Sequence, residues 1–154
     1  MNTWVIDASV AVKWILDEPL SPTVRRLVRD KVGMYAPDFL LVELDNVLWK
    51  HVRRGLLAAP DSRELRAAFR HFPVAFRPTE TLIDGGFEIA LAWGRSVYDS
   101  LYLALGEVLG MPVLTADRRL VNALAGTPLA GRAVWLGDMP AEAAGGAGAG
   151  RPPD

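Results

Sequence analysis

The sequence contains no cysteine, which removes disulfide bonds and thiolate metal ligands from consideration. It also has no run of about 18 uninterrupted apolar residues, so no segment is predicted to span a membrane. The first seven residues lack a basic region followed by a long apolar stretch, so no signal peptide is predicted. Together these absences favour a cytoplasmic protein that does not associate with membranes.

A strong excess of charge of either sign is missing as well. The 154 residues include 17 Lys and Arg against 18 Asp and Glu, so bulk charge does not indicate nucleic-acid binding. Any basic groove must therefore be local. With 51% hydrophobic residues, the chain suits one domain with a complete core.

Short apolar stretches alternate with segments of helical spacing along the chain. The apolar stretches predict five strands, near residues 4–6, 34–36, 74–76, 111–115 and 133–136. Asp38 is the predicted N-cap of a long helix that ends near Arg54. This alternation predicts an α/β fold of three layers, with a central parallel sheet of about five strands between helices. We expect residues 1–138 to form this domain and the Ala/Gly/Pro-rich residues 139–154 to be a disordered tail.

Three acidic residues lie where predicted strands end or helices begin. Asp7 follows the first strand, Asp99 opens the most apolar helix, and Asp117 follows the fourth strand. Because the carboxyl ends of parallel strands meet at one edge of the sheet, these side chains are expected to share a crevice. Crowded carboxylates repel unless a divalent ion holds them, so the pattern predicts a metal site.

A fourth acidic residue, Glu43, lies inside the long helix beside its apolar stripe. Glu43, Asn46 and Lys50 project within about 60° of one another at 100° per residue. A partly buried carboxylate needs a partner, which is either a metal ion or a cationic side chain such as Lys50. The other three have simpler explanations too: capping of a helix start suits Asp7 and Asp117 and explains part of Asp99, and Asp117 also suits an ion pair with a following arginine.

Four segments, in order, resemble the PIN-domain ribonucleases, and in particular the VapC-type toxins of bacterial toxin–antitoxin pairs. The segments are Val5-Ile6-Asp7-Ala8-Ser9-Val10, Glu43-Leu44-Asp45-Asn46-Val47-Leu48, Tyr98-Asp99-Ser100-Leu101-Tyr102-Leu103-Ala104 and Leu114-Thr115-Ala116-Asp117-Arg118-Arg119-Leu120. The resemblance covers about residues 3–136. It implies a Rossmann-like PIN fold, an endoribonuclease that depends on Mg²⁺ or Mn²⁺, single-stranded or loop RNA as substrate, a homodimer, and a VapB-type antitoxin.

The resemblance also assigns roles to individual residues. Its acidic site residues fall on Asp7, Glu43, Asp99 and Asp117, and its supporting polar residues fall on Ser9, Asn46 and Thr115. We expect Asp7, Asp99 and Asp117 to be the metal ligands and Glu43 to be a ligand or an orienting base. A bound Mg²⁺ lowers the pKa of water and stabilises charge at a phosphate, which is the expected route to RNA cleavage.

Arg118 and Arg119 are the candidate RNA contacts near this site, since a guanidinium fork suits phosphate. The simpler interpretation is that both belong to a solvated helix face. Trp14 is a candidate for stacking on a base, although its helical spacing from Val10 and Ala11 favours a place in the core.

Two rival classes are excluded by single residues and a third stays open. A haloacid-dehalogenase-like phosphatase needs a second Asp two residues after the first, where this chain has Ser9. A receiver domain needs a lysine after its last strand, and the last lysine here is Lys50. A catalytically silent PIN-like domain that binds RNA or a protein partner has the same sequence features as an active nuclease.

Overall fold

The computed structural model describes residues 2–140 of the chain, so the predicted tail lies outside the described residues apart from Met139 and Pro140. The strands are β1 (Thr3–Ile6), β2 (Gly33–Pro37), β3 (Val74–Arg77), β4 (Val113–Thr115) and β5 (Ala133–Trp135). The helices are α1 (Ala8–Ile15), α2 (Ser21–Arg29), α3 (Leu40–Arg53), α4 (Ala59–Ala68), α5 (Ile83–Trp93), α6 (Val97–Leu109) and α7 (Arg118–Leu124). Short 3₁₀ turns cover Phe69–His71, Thr79–Leu82 and Leu136–Asp138.

All five strands are parallel and lie in the order β3-β2-β1-β4-β5. Helices flank this sheet, so the α/β prediction is confirmed. The strand order reverses direction between β1 and β4, whose carboxyl ends therefore form a crevice. Asp7 directly follows β1, and Asp117 lies two residues beyond β4.

The core consists of the strands and the inner faces of the helices. Val5, Ile6, Val113 and Leu114 in the two central strands are fully buried. Such continuous burial is expected for parallel strands covered on both faces. Trp14 packs against this core, with its ring 5.7 Å from that of Phe72, which confirms the core interpretation of that residue.

Helix α6 runs through the interior, with residues Leu101–Gly106 buried. It packs against α5 and contacts β1, β2 and β4. The apolar character that predicted a buried helix is thus confirmed. Gly110 ends the helix with a positive φ of 65°, a conformation that glycine adopts without strain.

The N-cap predicted for α3 is wrong. The helix begins at Leu40, and Phe39 at the cap position has helical backbone angles. The Asp38 carboxylate instead accepts hydrogen bonds from Thr79 N (2.9 Å) and Thr79 Oγ1 (2.5 Å), and these bonds lower its pKa. The distant Thr79 competes successfully for the carboxylate, and sequence spacing around Asp38 gives no sign of that partner.

Within residues 2–140, no helix is long and apolar enough to cross a bilayer.

Candidate active site

The four predicted carboxylates all lie at the N-terminal ends of helices. Asp7 and Asp117 are the N-caps of α1 and α7, while Glu43 and Asp99 lie in the first turns of α3 and α6. A helix N-terminus carries partial positive charge, which favours a carboxylate there. The fold therefore supplies a local reason for each acidic residue, in addition to any shared function.

Asp7 is held by hydrogen bonds to both of its carboxylate oxygens. Oδ1 accepts from Ser9 N (3.0 Å), Ser9 Oγ (2.5 Å) and Val10 N (3.3 Å), and Oδ2 accepts from Thr115 Oγ1 (2.5 Å). These bonds favour the charged form, but burial outweighs them and raises the pKa of Asp7. The Asp7 carboxylate is therefore held in one position, and burial makes its ionisation less favourable in the isolated chain.

The two hydroxyls that bind Asp7 are themselves positioned by the backbone after β4. Ala116 N donates to Ser9 Oγ (2.8 Å), and Asp117 N donates to Thr115 Oγ1 (3.0 Å). Each hydroxyl oxygen accepts from an amide, so its proton is directed to the carboxylate. This relay links β1 to β4 across the crevice and confirms that Ser9 contacts Asp7.

Glu43 is half-buried, and its hydrogen-bond partner is a tyrosine rather than a cation. Tyr102 Oη donates a hydrogen bond to Glu43 Oε2. Burial raises the pKa of Glu43, and the charges of Asp7 and Asp99 raise it further. Burial and the neighbouring Glu43 also raise the pKa of Tyr102, so its hydroxyl remains a proton donor.

Asp99 is paired with an arginine from its own segment. Arg95 Nη2 lies 3.1 Å from Asp99 Oδ2, and both side chains are only partly exposed. Ser96, rather than Asp99, is the N-cap of α6, since its Oγ accepts from Asp99 N at 3.1 Å. The Asp99 carboxylate is therefore not used as the helix cap and can form an ion pair or act as a metal ligand.

Asp7, Glu43 and Asp99 form one electrostatic group. The charge of Asp99 raises the pKa of Asp7, and the charges of Asp7 and Asp99 both raise the pKa of Glu43. Carboxylate charges that raise the pKa of Asp7 and Glu43 in this way favour a bound cation. The structure thus brings together three of the four predicted acidic residues.

Asp117 is engaged by the helix that it caps. Its Oδ1 accepts from Arg119 N (2.9 Å) and is paired with Arg119 Nε (3.3 Å). Both simpler explanations for this residue, the N-cap and the arginine pair, are therefore observed. Its amide, rather than its carboxylate, is the part hydrogen-bonded toward Asp7, through Thr115.

The two candidate RNA contacts lie at the surface beside this residue. The Arg118 guanidinium lies 3.7 Å from the ring centroid of Trp135, and the Arg119 side chain is 91% exposed. Trp135 ends β5, so this stacked pair lies at the same carboxyl edge of the sheet as Asp7. Asn46, one turn after Glu43, lines a surface cavity with it.

The donors at this site suit a hard divalent cation, although no group of three Asp, Glu or His side chains within residues 2–140 is already arranged around a metal position. Carboxylate oxygens are the ligands that Mg²⁺ prefers, and it commonly keeps several waters, so few protein ligands are needed. Burial and neighbouring carboxylates raise the pKa of Asp7 and of Glu43, and a bound cation would favour the charged forms of both side chains. The donor atoms are therefore of the type that such an ion prefers, although the side chains within residues 2–140 do not form a complete coordination shell.

Sequence reasoning missed two residues of this group, Arg95 and Tyr102. Tyr102 was detectable, because it lies three residues after Asp99 on the same face of α6, whereas Arg95 precedes the first residue of that helix. A hydrogen bond from Tyr102 to Glu43, 59 positions earlier, depends on how α3 and α6 pack. No local pattern predicts that pairing.

Comparison with known proteins identifies the family of this chain. A family model for the PIN domain matches residues 4–124. The chain is 35% identical over 121 residues to ribonuclease VapC3 of Pyrobaculum aerophilum, covering 77% of this chain and 92% of that protein. It is 30% identical over 118 residues to ribonuclease VapC12 of Mycobacterium tuberculosis, covering 77% and 89%.

Solved structures agree in fold. The protein PAE2754 from Pyrobaculum aerophilum superposes with a TM-score of 0.62 at 24% identity, covering 81% of each chain. VapC20 of Mycobacterium tuberculosis, a toxin that cleaves the sarcin–ricin loop, gives a TM-score of 0.56 at 14% identity, covering 73% of this chain and 87% of that one.

A parallel sheet with carboxylates gathered at its β1/β4 crevice, together with the match over most of its length, places the chain in the PIN-domain family. Within that family it is an endoribonuclease of the VapC type, the toxin class of toxin–antitoxin pairs.

Proposed function

We propose that this chain is a Mg²⁺-dependent endoribonuclease that cleaves cytoplasmic RNA with a metal-activated water, as the toxin of a VapBC pair. The observation that carries the proposal is the coupled group of Asp7, Glu43 and Asp99, in which burial and mutual charge raise the pKa of two carboxylates. A bound divalent cation would stabilise the charged forms of these carboxylates. Such an ion can also activate a water for phosphodiester hydrolysis.

Asp7 and Asp99 would hold the ion, and Asp117 is the third proposed ligand. When bound, Mg²⁺ supplies a water of lowered pKa and neutralises charge at the phosphate. Ser9 and Thr115 fix the Asp7 carboxylate by donating to its two oxygens. This fixing removes a conformational cost that a mobile carboxylate would add to ion binding.

Glu43 serves as a ligand or as a base that orients the attacking water. Tyr102 Oη donates to its Oε2, so Oε1 would be the oxygen that contacts the ion or its water. Arg95 pairs with Asp99 in the isolated chain. If Asp99 held an ion, that guanidinium would be free to contact the scissile phosphate, because a guanidinium fork binds phosphate oxygens well.

The proposed substrate is single-stranded or loop RNA. Arg118 and Arg119 are the proposed phosphate contacts, at the edge of the sheet that carries the carboxylates. Stacking on Trp135 holds the Arg118 guanidinium in place. A phosphate contact at this position would lie beside the catalytic group rather than on a remote helix face.

The proposed protein partner is a VapB-type antitoxin. A solved toxin–antitoxin complex from Klebsiella pneumoniae has the same fold, with a TM-score of 0.54 at 10% identity, covering 85% of this chain and 95% of that one. A groove of about 390 Å³, with apolar side chains and the charged Asp45, Arg66 and Arg70 in its lining, is suited to a peptide that folds on binding. Its lining includes Leu41, Leu44, Phe69, Phe72, Val74 and Phe76.

A homodimer is proposed from the exposed face of α5. Ile83, Phe87 and Leu91 are 49%, 51% and 65% exposed, and their four-residue spacing places them on one face of the helix. Light scattering of wild type and Phe87→Glu tests this directly. We expect a dimer for the wild type and a monomer for the variant, and a monomeric wild type would contradict the proposal.

Cleavage of a fluorescent RNA with Mg²⁺ and with EDTA tests the nuclease. Asp99→Asn keeps the shape of the side chain and removes its charge, so we expect Mg²⁺-dependent cleavage to fall by about tenfold or more with folding unchanged. Asp84→Asn is the matched control, because Asp84 also lies in the first turn of a helix but outside the site. It should cleave like the wild type.

A catalytically silent domain predicts a different result. It would bind RNA or a partner and show the same slow background cleavage with Mg²⁺ and with EDTA, for the wild type and for Asp99→Asn alike. That outcome would overturn the metal-dependent mechanism.

A further inference from the structure

A cavity of about 320 Å³ opens beside the catalytic group, between the start of α3 and the first turn of α6. It is lined by Phe39, Val42, Glu43, Asn46 and Tyr98. Its volume is near the lower end of the range for ligand pockets, about 300–1,000 Å³. The space suits one ring system rather than a folded peptide segment.

The wall of this cavity is a pair of stacked aromatic rings. The rings of Phe39 and Tyr98 lie 5.3 Å apart between centroids, at an interplanar angle of 9°. Tyr98 is 60% exposed, so much of its ring is accessible to an incoming group. Val42, which is 61% exposed, forms part of the cavity mouth. A flat aromatic surface of this kind binds any planar base by stacking.

The cavity also has polar groups in its lining, and one of them, Glu43, connects it to the reaction centre. Glu43 belongs to both, since it lines the cavity and is coupled electrostatically to Asp7 and Asp99. Asn46 adds an amide that donates and accepts hydrogen bonds. Tyr98 directly precedes Asp99 on α6. A group in the cavity therefore lies next to any phosphate held by the carboxylates.

We infer that this cavity, named here the base cavity, binds the nucleobase adjacent to the scissile phosphate of RNA and sets sequence preference at that position. The inference rests on the proposed ribonuclease function. Tyr98 and Phe39 supply the stacking surface, and Asn46 reads the edge of the base. A phosphate is disfavoured in the same space by the carboxylate of Glu43, whereas a neutral base is not.

A guanidinium from a protein partner is the other occupant that an aromatic, acidic cavity accepts. The nucleobase is favoured because Asp99, the acidic residue next to Tyr98, is already paired with Arg95 within the chain. That pair reduces the negative charge that would attract a second arginine. Asn46, with both donor and acceptor atoms, is also better suited to a base edge than to a group that only donates.

The first test is binding of a labelled single-stranded RNA decamer of mixed sequence, measured by fluorescence anisotropy in EDTA. Tyr98→Ala should weaken binding by about five- to a hundredfold, as expected for the loss of one stacked base. Tyr98→Phe keeps the ring and should bind within about twofold of the wild type. Trp49→Ala is the control, since Trp49 is an exposed aromatic of α3 outside the base cavity.

The second test is the distribution of cleavage sites on a random-sequence RNA library with Mg²⁺. Asn46→Ala should change base preference at one position beside the cut and leave the other positions as in the wild type. If Tyr98→Ala does not fold, Val42→Trp fills the cavity mouth from an exposed position and should weaken RNA binding similarly.

Wild-type binding and wild-type site preference in all base-cavity variants would overturn the inference while leaving the nuclease proposal intact. Loss of antitoxin-peptide binding in Tyr98→Ala, with unchanged RNA binding, would overturn it in favour of a partner's arginine. Failure of the wild type to cleave would count against the nuclease proposal alone, because RNA binding in EDTA still reports on the cavity.

Discussion

At the scale of single residues, Glu43 is a site residue whose ionisation lowers the stability of the fold. Its raised pKa means that the folded chain holds this proton more tightly than the unfolded chain, whose reference pKa is 4.5. The resulting contribution to stability is complete below that value and is lost as pH rises through the folded-state pKa. Without metal, loss of this proton as pH rises therefore destabilises the fold relative to its stability at low pH.

Glu43→Gln should raise the melting temperature of the metal-free protein at pH 7, because glutamine accepts the Tyr102 hydrogen bond without the charge. We expect a rise of about 2–4 °C, the shift that about 1 kcal/mol produces in a domain of this size. The difference from the wild type should vanish near pH 4 and shrink when Mg²⁺ is added. Glu88→Gln on exposed α5 is the control, and an equal rise in both variants would contradict the argument.

Thr115 is the second residue whose role can be isolated. It is fully buried, and its hydroxyl donates to Asp7 Oδ2 while accepting from Asp117 N. Thr115→Val removes a donor to the charged carboxylate and so raises the pKa of Asp7 further. The acidic limb of the cleavage–pH profile should move to higher pH.

The same variant leaves the Asp117 amide without its acceptor, so the free energy of unfolding should fall by about 1–3 kcal/mol. Thr127→Val is a matched control, because the Thr127 hydroxyl also bridges a carbonyl and an amide, those of Leu124 and Leu129, away from the site. That control should lose stability with no movement of the pH profile. A shift in both variants would mean that the profile reports folding rather than Asp7.

At the scale of elements, the sequence predicted which segments form strands and helices better than it predicted how they meet. Every predicted strand is present, because five short apolar stretches need burial on both faces. The error at Asp38 arose where a local rule competed with a distant partner, Thr79. Contacts between helices, such as Tyr102 with Glu43, carried no local signal at all.

Helix α6 offers a test of that packing, because it positions both Asp99 and Tyr102. A Cβ atom at Gly106 would lie 2.7 Å from the Met111 carbonyl oxygen, a backbone atom that cannot easily move. Gly106→Ala should therefore lower the free energy of unfolding by about 1–3 kcal/mol. The measurement is urea denaturation followed by circular dichroism.

Gly85→Ala is its control on the neighbouring helix α5. A Cβ atom there would meet the Ala104 Cβ at 3.7 Å, an ordinary contact, so alanine should be stabilising by about 0.5–1 kcal/mol. If Gly106→Ala were as stable as Gly85→Ala, the close approach of α6 to the start of β4 would not constrain the fold.

At the scale of the whole molecule, the set of acidic residues was easier to predict than their roles. Asp7, Glu43 and Asp99 are coupled because parallel topology brings helix N-termini to one edge of the sheet, and the strand pattern implied that topology. The assignment of Asp117 as a metal ligand stays a prediction, since its carboxylate binds Arg119 in the described structure. The predicted tail beyond Met139 stays a prediction as well.

Growth of bacteria that express the chain links the site to its proposed biological effect. Expression without an antitoxin should arrest growth, and co-expression of the cognate antitoxin should restore it. Asp7→Ala should relieve the arrest at equal soluble expression, because the effect requires the carboxylate that Ser9 and Thr115 hold in place. Colony counts and culture density measure this outcome.

Two further variants separate catalysis from folding and from binding in that experiment. Asp7 caps α1, so loss of the cap costs about 0.5–2 kcal/mol and some effect on stability is expected. Asp99→Asn removes charge at a helix position capped independently by Ser96 and should relieve the arrest without that complication. Asp61→Ala, in the first turn of α4 and exposed, should remain toxic. Arrest that persisted in both Asp7→Ala and Asp99→Asn would mean that the chain acts by binding alone, since neither variant retains the coupled carboxylates that RNA hydrolysis requires.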